Sequence, residues 1–470
     1  MPGLSYTLEI AKGTISNTQS QIQTISHNIS NADSKTYARQ KTVQVTSSPV
    51  FTRDGWFGTG ATIDRVVQQR DQYVERRLMD SISKEADYKA RYTQFGIASD
   101  YLADDGENGI SKILGQFWDS WDALSLNPTG AAEQMSVQQN AEQLASVVRQ
   151  AYTNLMSNAQ EIESQVQGDV TKVNSLLTQI AQYNGEIVKK QFGGQQMPND
   201  LLDMRYKAVT ELAELIPIKY TEEANGSLTV DLQGSAFTAT LVDGAQSGSL
   251  AYDQTSHSVT YTDAQSSTGT YLTAGDASLS SSSGAEIQGL LVAYTAVGTE
   301  HDLAFSLANP NDPSLTYLDR LNAFAATVIT SFNTANNQNG GTDVFDASLL
   351  GSGFTAGDLK VATGFVPNGA EAANIADLQR QAQTDLGGVT LGQYLSGIQS
   401  RIGLDQQQAT TQYGFQSTLR LQLEAEQQSA SGVSIDEEMI DLLKQQQIYQ
   451  AAAKIITHTN EMLNAVINMV

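Results

Sequence analysis

Cysteine is absent from this 470-residue chain, which excludes disulfide bridges and thiolate metal sites outright. Histidine is scarce. His27, His257, His301 and His458 are the four present, and none has a second histidine three or four residues away to complete a helical metal pair. No run of eighteen apolar residues occurs, so no membrane insertion is expected, and residues 1–29 interrupt their apolar positions too often for a secretory signal. Basic residues are few, 27 against 51 acidic, and the net charge of −24 disfavours nucleic acid and anionic membranes as partners. The phosphate-binding Gly-Lys-Ser/Thr, the dinucleotide Gly-x-Gly-x-x-Gly after a strand and the Gly-x-Ser-x-Gly elbow are all missing. These absences leave no candidate catalytic residue, metal ligand or cofactor site. His301 beside Asp302 is better explained as a chance pair, and Trp118 and Trp121 fall on one apolar helix face with Leu114 and Phe117, as core residues do.

What the chain does have is an apolar seam at each end. Leu4, Leu8, Ala11, Ile15, Thr18, Ile22, Ile25 and Ile29 follow at steps of four and three. Met439, Leu442, Gln446, Tyr449, Ala453, Ile456, Asn460, Leu463, Ile467 and Val470 repeat the rhythm at the other end. This is the heptad seam of a coiled coil. An isolated helix of this length is marginal in water, so the two ends are expected to come together and to be completed by neighbouring subunits, a closed intramolecular hairpin being the alternative. The C-terminal helix has a clear start, with Ser434 and Glu437 spaced as a capping box and Asp436, Glu437 and Glu438 at the positive end of the helix dipole.

Between the seams the pattern runs helix, β, helix. A hairpin is expected to pair residues 42–46 with a strand through Thr62 and Ile63, and helix is expected from Asp64 to about Tyr101. A long amphipathic rod spans Met135 to Ile187, and a helix over Asp200 to Leu215 ends before Pro217. Residues 221–283 contain no Lys or Arg and alternate like strands, with a serine-rich exit at 278–283. Helix returns at Ile287 to Val297, at Tyr317 to Asn333 and from about Ala372 onward. The expected fold is mainly α with a β insertion (α+β): a long-helix bundle, paired N- and C-terminal coiled-coil helices and a small mid-chain β domain. The expected division is a terminal module of 1–40 with 431–470, a helical body of 41–220, 285–338 and 373–430, an outer β domain of 221–284, and a small irregular or β insertion of 339–372.

Terminal and interior stretches carry a family resemblance. Ser26-His27-Asn28-Ile29-Ser30-Asn31-Ala32-Asp33, followed by Tyr37-Ala38-Arg39-Gln40, resembles the N-terminal signature of bacterial flagellar rod, hook and hook-associated proteins. Ser431-Gly432-Val433-Ser434-Ile435-Asp436-Glu437-Glu438, continuing through Gln450 and Lys454, resembles their C-terminal tail. Phe117-Trp118, Asn127-Pro128 and Asn199-Asp200-Leu201-Leu202-Asp203 are similar to the hook-associated protein 1 family of hook–filament junction proteins. One departure is visible, Ser34-Lys35-Thr36 standing where the family usually turns through glycine. The resemblance implies a structural protein without enzymatic activity, exported by the flagellar type III apparatus and located outside the cell. It further implies self-association in a ring, with the hook protein and the second junction protein as neighbours. A cytoplasmic export chaperone would hold the C-terminal helix before assembly.

Overall fold

The computed structural model describes residues 2–52, 55–102, 109–191, 198–234, 238–275, 284–298, 301–351 and 353–468. Helix α1 (Pro2–Ser30) leads into β1 (Gln40–Thr46), β2 (Val50–Thr52), β3 (Gly55–Phe57) and β4 (Ala61–Gln68). β1 pairs antiparallel with β4 from Gln40↔Gln68 to Thr46↔Ala61, with a register shift between Val43 and Gln44. The helix expected from Asp64 therefore starts later, as α2 (Gln72–Leu102). Ile63, Val66 and Val67 suit a pleated strand better than a helix, and β1 offers them a ladder.

The body is built on α3 (Ile110–Leu126), α4 (Ala131–Gln191) and α5 (Asn199–Leu215). At 61 residues α4 is about 90 Å long, and its positions from Val137 through Leu144, Leu155, Ile162, Val173 and Ile180 to Ile187 are buried along one face. Phe117, Trp118 and Trp121 of α3 are buried with Phe332 and Phe345, so the tryptophans are core residues.

The β insertion forms two sheets. β5 (Ile218–Glu222), β6 (Leu228–Gln233), β7 (Thr238–Asp243) and β8 (Gln246–Ser247) make a four-stranded antiparallel meander; β9 (Ser249–Asp253), β10 (Ser258–Thr262) and β11 (Thr268–Thr273) make a three-stranded one. β7, β8 and β9 pack on α4. Two asparagines of α4 bind the β insertion by pairing with backbone: Asn174 accepts from Leu250 N at 2.7 Å and donates to its carbonyl at 2.9 Å. Asn184 does the same with Leu228, at 3.0 and 2.7 Å, and also reaches the Gly244 carbonyl. The serine-rich exit at 278–283 lies outside the described residues.

The return path is α6 (Glu286–Val297), α7 (Leu303–Ala308), α8 (Tyr317–Asn336), α9 (Ala372–Asp377), α10 (Leu391–Ser431) and α11 (Ile435–Ile467). α10 packs along α2, and α6 packs on both α2 and α4. Gly289 makes that approach close, since a Cβ there would sit 2.2 Å from the Asp87 carbonyl oxygen. Gly387 and Gly388, both at positive φ, interrupt the helical run expected from 372 onward. Between α8 and α9 the described residues are irregular with one bridge, Phe345↔Val361, and Asn333 and Asn336 hold them by backbone pairing. The chain is mainly α with a β insertion.

Asn184→Ala leaves the Leu228 amide and both carbonyls without this partner in a fully buried site, and a loss of about 3 kcal/mol is expected in thermal or urea unfolding. Asp169 makes the stability of the helical body depend on pH. Burial, then Glu286 across the α4–α6 contact, pushes its carboxyl up to about 7, with Lys172 opposing. A raised carboxyl contributes stability below its ordinary range near 3.8, and that stability is lost as pH rises through about 7. The melting temperature is expected to fall across that window, and Asp169→Asn to flatten the fall.

Candidate functional site: the terminal helix pair

α1 and α11 pack together and run antiparallel, since Asn28 near the end of one meets Glu438 near the start of the other. On α1 the expected seam faces inward: Ala11, Thr18 and Ile25 are buried, and Leu4, Leu8, Ile15, Ile22 and Ile29 are half-buried. On α11 the covered face differs from the expected line. Leu442, Ile456 and Leu463 are half-buried as part of it, but its other positions are Glu438, Gln445, Ala452, Thr459 and Val466, one residue earlier than Met439, Gln446, Ala453, Asn460 and Ile467. Met439 and Ile467 are exposed, Tyr449 sits at the edge, Ala453 is half-buried, and Val470 lies outside the described residues.

A buried charge sets this rotation. Glu438 is 1% exposed and receives Arg39 Nε at 2.7 Å and Asn28 Nδ2 at 3.1 Å. Turning α11 to bury Met439 would withdraw that carboxylate from both partners. Arg39 also holds Glu437 at 2.9 Å and lies 3.8 Å from Asp441. The acidic cluster read as a helix cap is therefore also the anchor of the pair, while Ser434 accepts from the Glu437 amide as the cap proper.

Asn28 satisfies its whole carboxamide. Its oxygen accepts from Tyr37 Oη at 2.8 Å and Gln40 N at 2.9 Å, and its nitrogen donates to the Gln40 carbonyl at 2.9 Å as well as to Glu438. With the tyrosine proton committed to Asn28, His27 Nδ1 donates to the Tyr37 oxygen at 3.0 Å. Burial, followed by Asp203, Asp200 and Glu438, pushes the Tyr37 hydroxyl well above its usual range, keeping it a donor. Asn31 caps α1 by donating to the His27 carbonyl at 2.9 Å, and Ala32 is half-buried beside it. The turn through Ser34, Lys35 and Thr36 needs no positive φ, so glycine is dispensable there.

A second arginine ties the same strap to the body. Arg70 donates to Glu75 at 2.7 Å and Asp203 at 2.6 Å, reaches the Thr36 carbonyl, and lies 4.2 Å over the Tyr206 ring. Burial raises the Glu75 and Asp203 carboxyls even though Arg70 opposes the shift. Residues 36–40 are thus gripped from both sides, and the Arg39 amide donates to the Ser431 carbonyl at 2.9 Å, joining the two ends of the chain. Gly432 follows; a Cβ there would fall 2.3 Å from the Gln428 carbonyl oxygen. Gln450 and Lys454 are exposed on α11. Arg70 and Glu75 carry no signal in the sequence, because their partners come from three separate elements; Asp203 lies within a recognised stretch but its role there was not legible.

Two other histidines lie away from this site. His301 pairs with Asp319 at 2.8 Å, while its neighbour Asp302 caps α7, so these two do not act together. His458 is exposed beside Glu461. Among the described residues no group of acids and histidines is arranged to hold a metal ion.

The sequence model described as "Flagellar hook-associated protein FlgK helical domain" matches residues 98–348, just over half of the chain. The chain belongs to the flagellar hook-associated protein FlgK family. A second model, "Flagellar basal body rod FlgEFG protein C-terminal", matches residues 426–469, the tail that carries Glu438 and α11. The flagellar hook-associated protein 1 of Bacillus subtilis (strain 168) is 25% identical over 98% of this chain and 97% of its own length. That of Escherichia coli (strain K12) is 22% identical, covering 96% and 97%. A flagellar hook junction protein FlgK from Burkholderia pseudomallei aligns over 58% of this chain and 46% of its own, with 23% identity and a TM-score of 0.46. The family is one of structural proteins of the bacterial flagellum, and no helix among the described residues is long and apolar enough to cross a membrane.

Arg39→Ala strands Glu438 in a buried position, and a cost of about 3–5 kcal/mol is expected, relieved in part by adding Glu438→Gln. Hydrogen exchange checks it: amides of residues 22–30 and 435–442 should lose protection before the rest of the chain.

Proposed function

We propose that this chain is a structural junction protein that links the flagellar hook to the filament and assembles as a ring through its terminal helices. One observation carries the reading. After α1 is paired, α11 still exposes Met439, Ile440, Leu443, Ile448, Ile455 and Met462, far more apolar surface than a helix at a free surface retains. The latch at Arg39 and Glu438 holds this surface in a defined orientation to the body, as an assembling subunit requires.

In this reading the terminal module, 1–40 with 431–470, lines the inner tube. The helical body of 41–220, 285–338 and 373–430 surrounds it, the β domain of 221–284 faces outward, and 339–372 is a small insertion on the body. The junction between module and body falls where the Arg39 amide meets the Ser431 carbonyl. The hook protein and the second junction protein are its axial neighbours. Before export an acceptor for the bare α11 surface is needed in the cytoplasm, which is the task of a chaperone; the assembled protein lies outside the cell. The same surface argues for a scaffold in place of an enzyme.

Two measurements test this. Cells lacking the protein should carry hooks without filaments in electron micrographs, and normal filaments in such cells would end the proposal. Deleting 435–470 should abolish attachment and chaperone binding while the helical body keeps its circular dichroism and melting transition; retained hook attachment would contradict it.

A further inference from the structure

We propose that the aromatic hairpin β2–β3 of one copy packs on α11 of the adjacent copy, against the line Ile448, Ile455 and Met462; this rests on the assembly reading above. The hairpin is a finger with apolar groups on both faces. Phe51 and Trp56 are cross-strand partners with ring centroids 5.2 Å apart, and Val50 opposes Phe57 on the other face. Phe51 is 66%, Trp56 70% and Phe57 50% exposed. β2 and β3 bond only to each other among the described strands, and an isolated two-stranded hairpin is marginal in water, so such a finger calls for cover.

Its own chain carries the finger on the α1 side of the helix pair. Asn17 of α1 donates to the Ala61 carbonyl, and a Cβ on Gly60 would lie 3.6 Å from Ile10. Counting along the antiparallel pair from the Asn28–Glu438 contact, Ile10 stands level with about residue 456 of α11. The finger is therefore rooted at the height of Ile455. Ile448, Ile455 and Met462 recur every seven residues, so they form one line down α11, outside the face that covers α1. Aromatic rings on aliphatic and methionine side chains bury well.

A second copy is the occupant because each chain carries one finger and one line on different parts of its surface. Pairing them head to tail uses both once per copy and repeats the contact around a ring. Finger-to-finger pairing would leave every α11 line bare.

The absence of cysteine makes the test clean. Gly58→Cys places a thiol at the finger with open space around it, and His458→Cys places one on exposed α11 between Ile455 and Met462, leaving both apolar patches intact. The two full-length variants are mixed, added to isolated hooks and oxidised. Disulfide-linked dimers are expected in the attached mixture, to be lost from either variant alone and from a mixture in which the Gly58→Cys chain also carries Trp56→Ala. Attached chains that do not cross-link, or that yield Gly58→Cys homodimers, overturn the finger contact and leave the junction reading standing. Chains that fail to attach overturn that reading and the finger contact together.

Discussion

The buried carboxylate of Glu438 constrains everything at the joined ends of this chain. An isolated charge in that position is unaffordable in free energy, so Arg39 and Asn28 must both be present, and their presence dictates how α11 is rotated on α1. The seam that results is not the most apolar one α11 could offer. Ala452 and Thr459 face the partner helix while Ile448, Ile455 and Met462 stay outside it. A polar anchor has overridden the hydrophobic optimum of one pair of helices, and the apolar groups it displaces stay on the surface.

A second device recurs through the fold. Asparagine has the donor and acceptor of a peptide group on a short arm, so a helical Asn can pair with passing backbone as a strand would. Asn174 and Asn184 bind the β insertion to α4, Asn333 and Asn336 hold the irregular segment after α8, and Asn28 holds the strap at Gln40. Each sits where a strand end, an edge strand or irregular chain meets a helix. The backbone groups there would otherwise be buried unpaired, which explains why carboxamides appear where a helix face alone would favour leucine.

Much was legible from periodicity. α4 follows its three-four rhythm along its whole length because a long helix with one buried face leaves the same spacing everywhere, and the β insertion stands out because residues 221–283 hold no Lys or Arg and alternate. The misreadings share a cause. Residues 64–68 are expected as the start of a helix, and the ladder with β1 makes them strand. The α11 seam was displaced by one residue because Glu438 resembles any acid in a first helical turn.

The sequence by itself determined the order of the elements, the heptad character of both ends and the family membership, since these depend on local spacing. Tertiary structure alone decided which face of α11 is covered, which arginine grips which acid and where the aromatic finger stands. Those depend on groups some 400 positions apart meeting in a low-dielectric interior, and no local pattern records the partner of a buried charge.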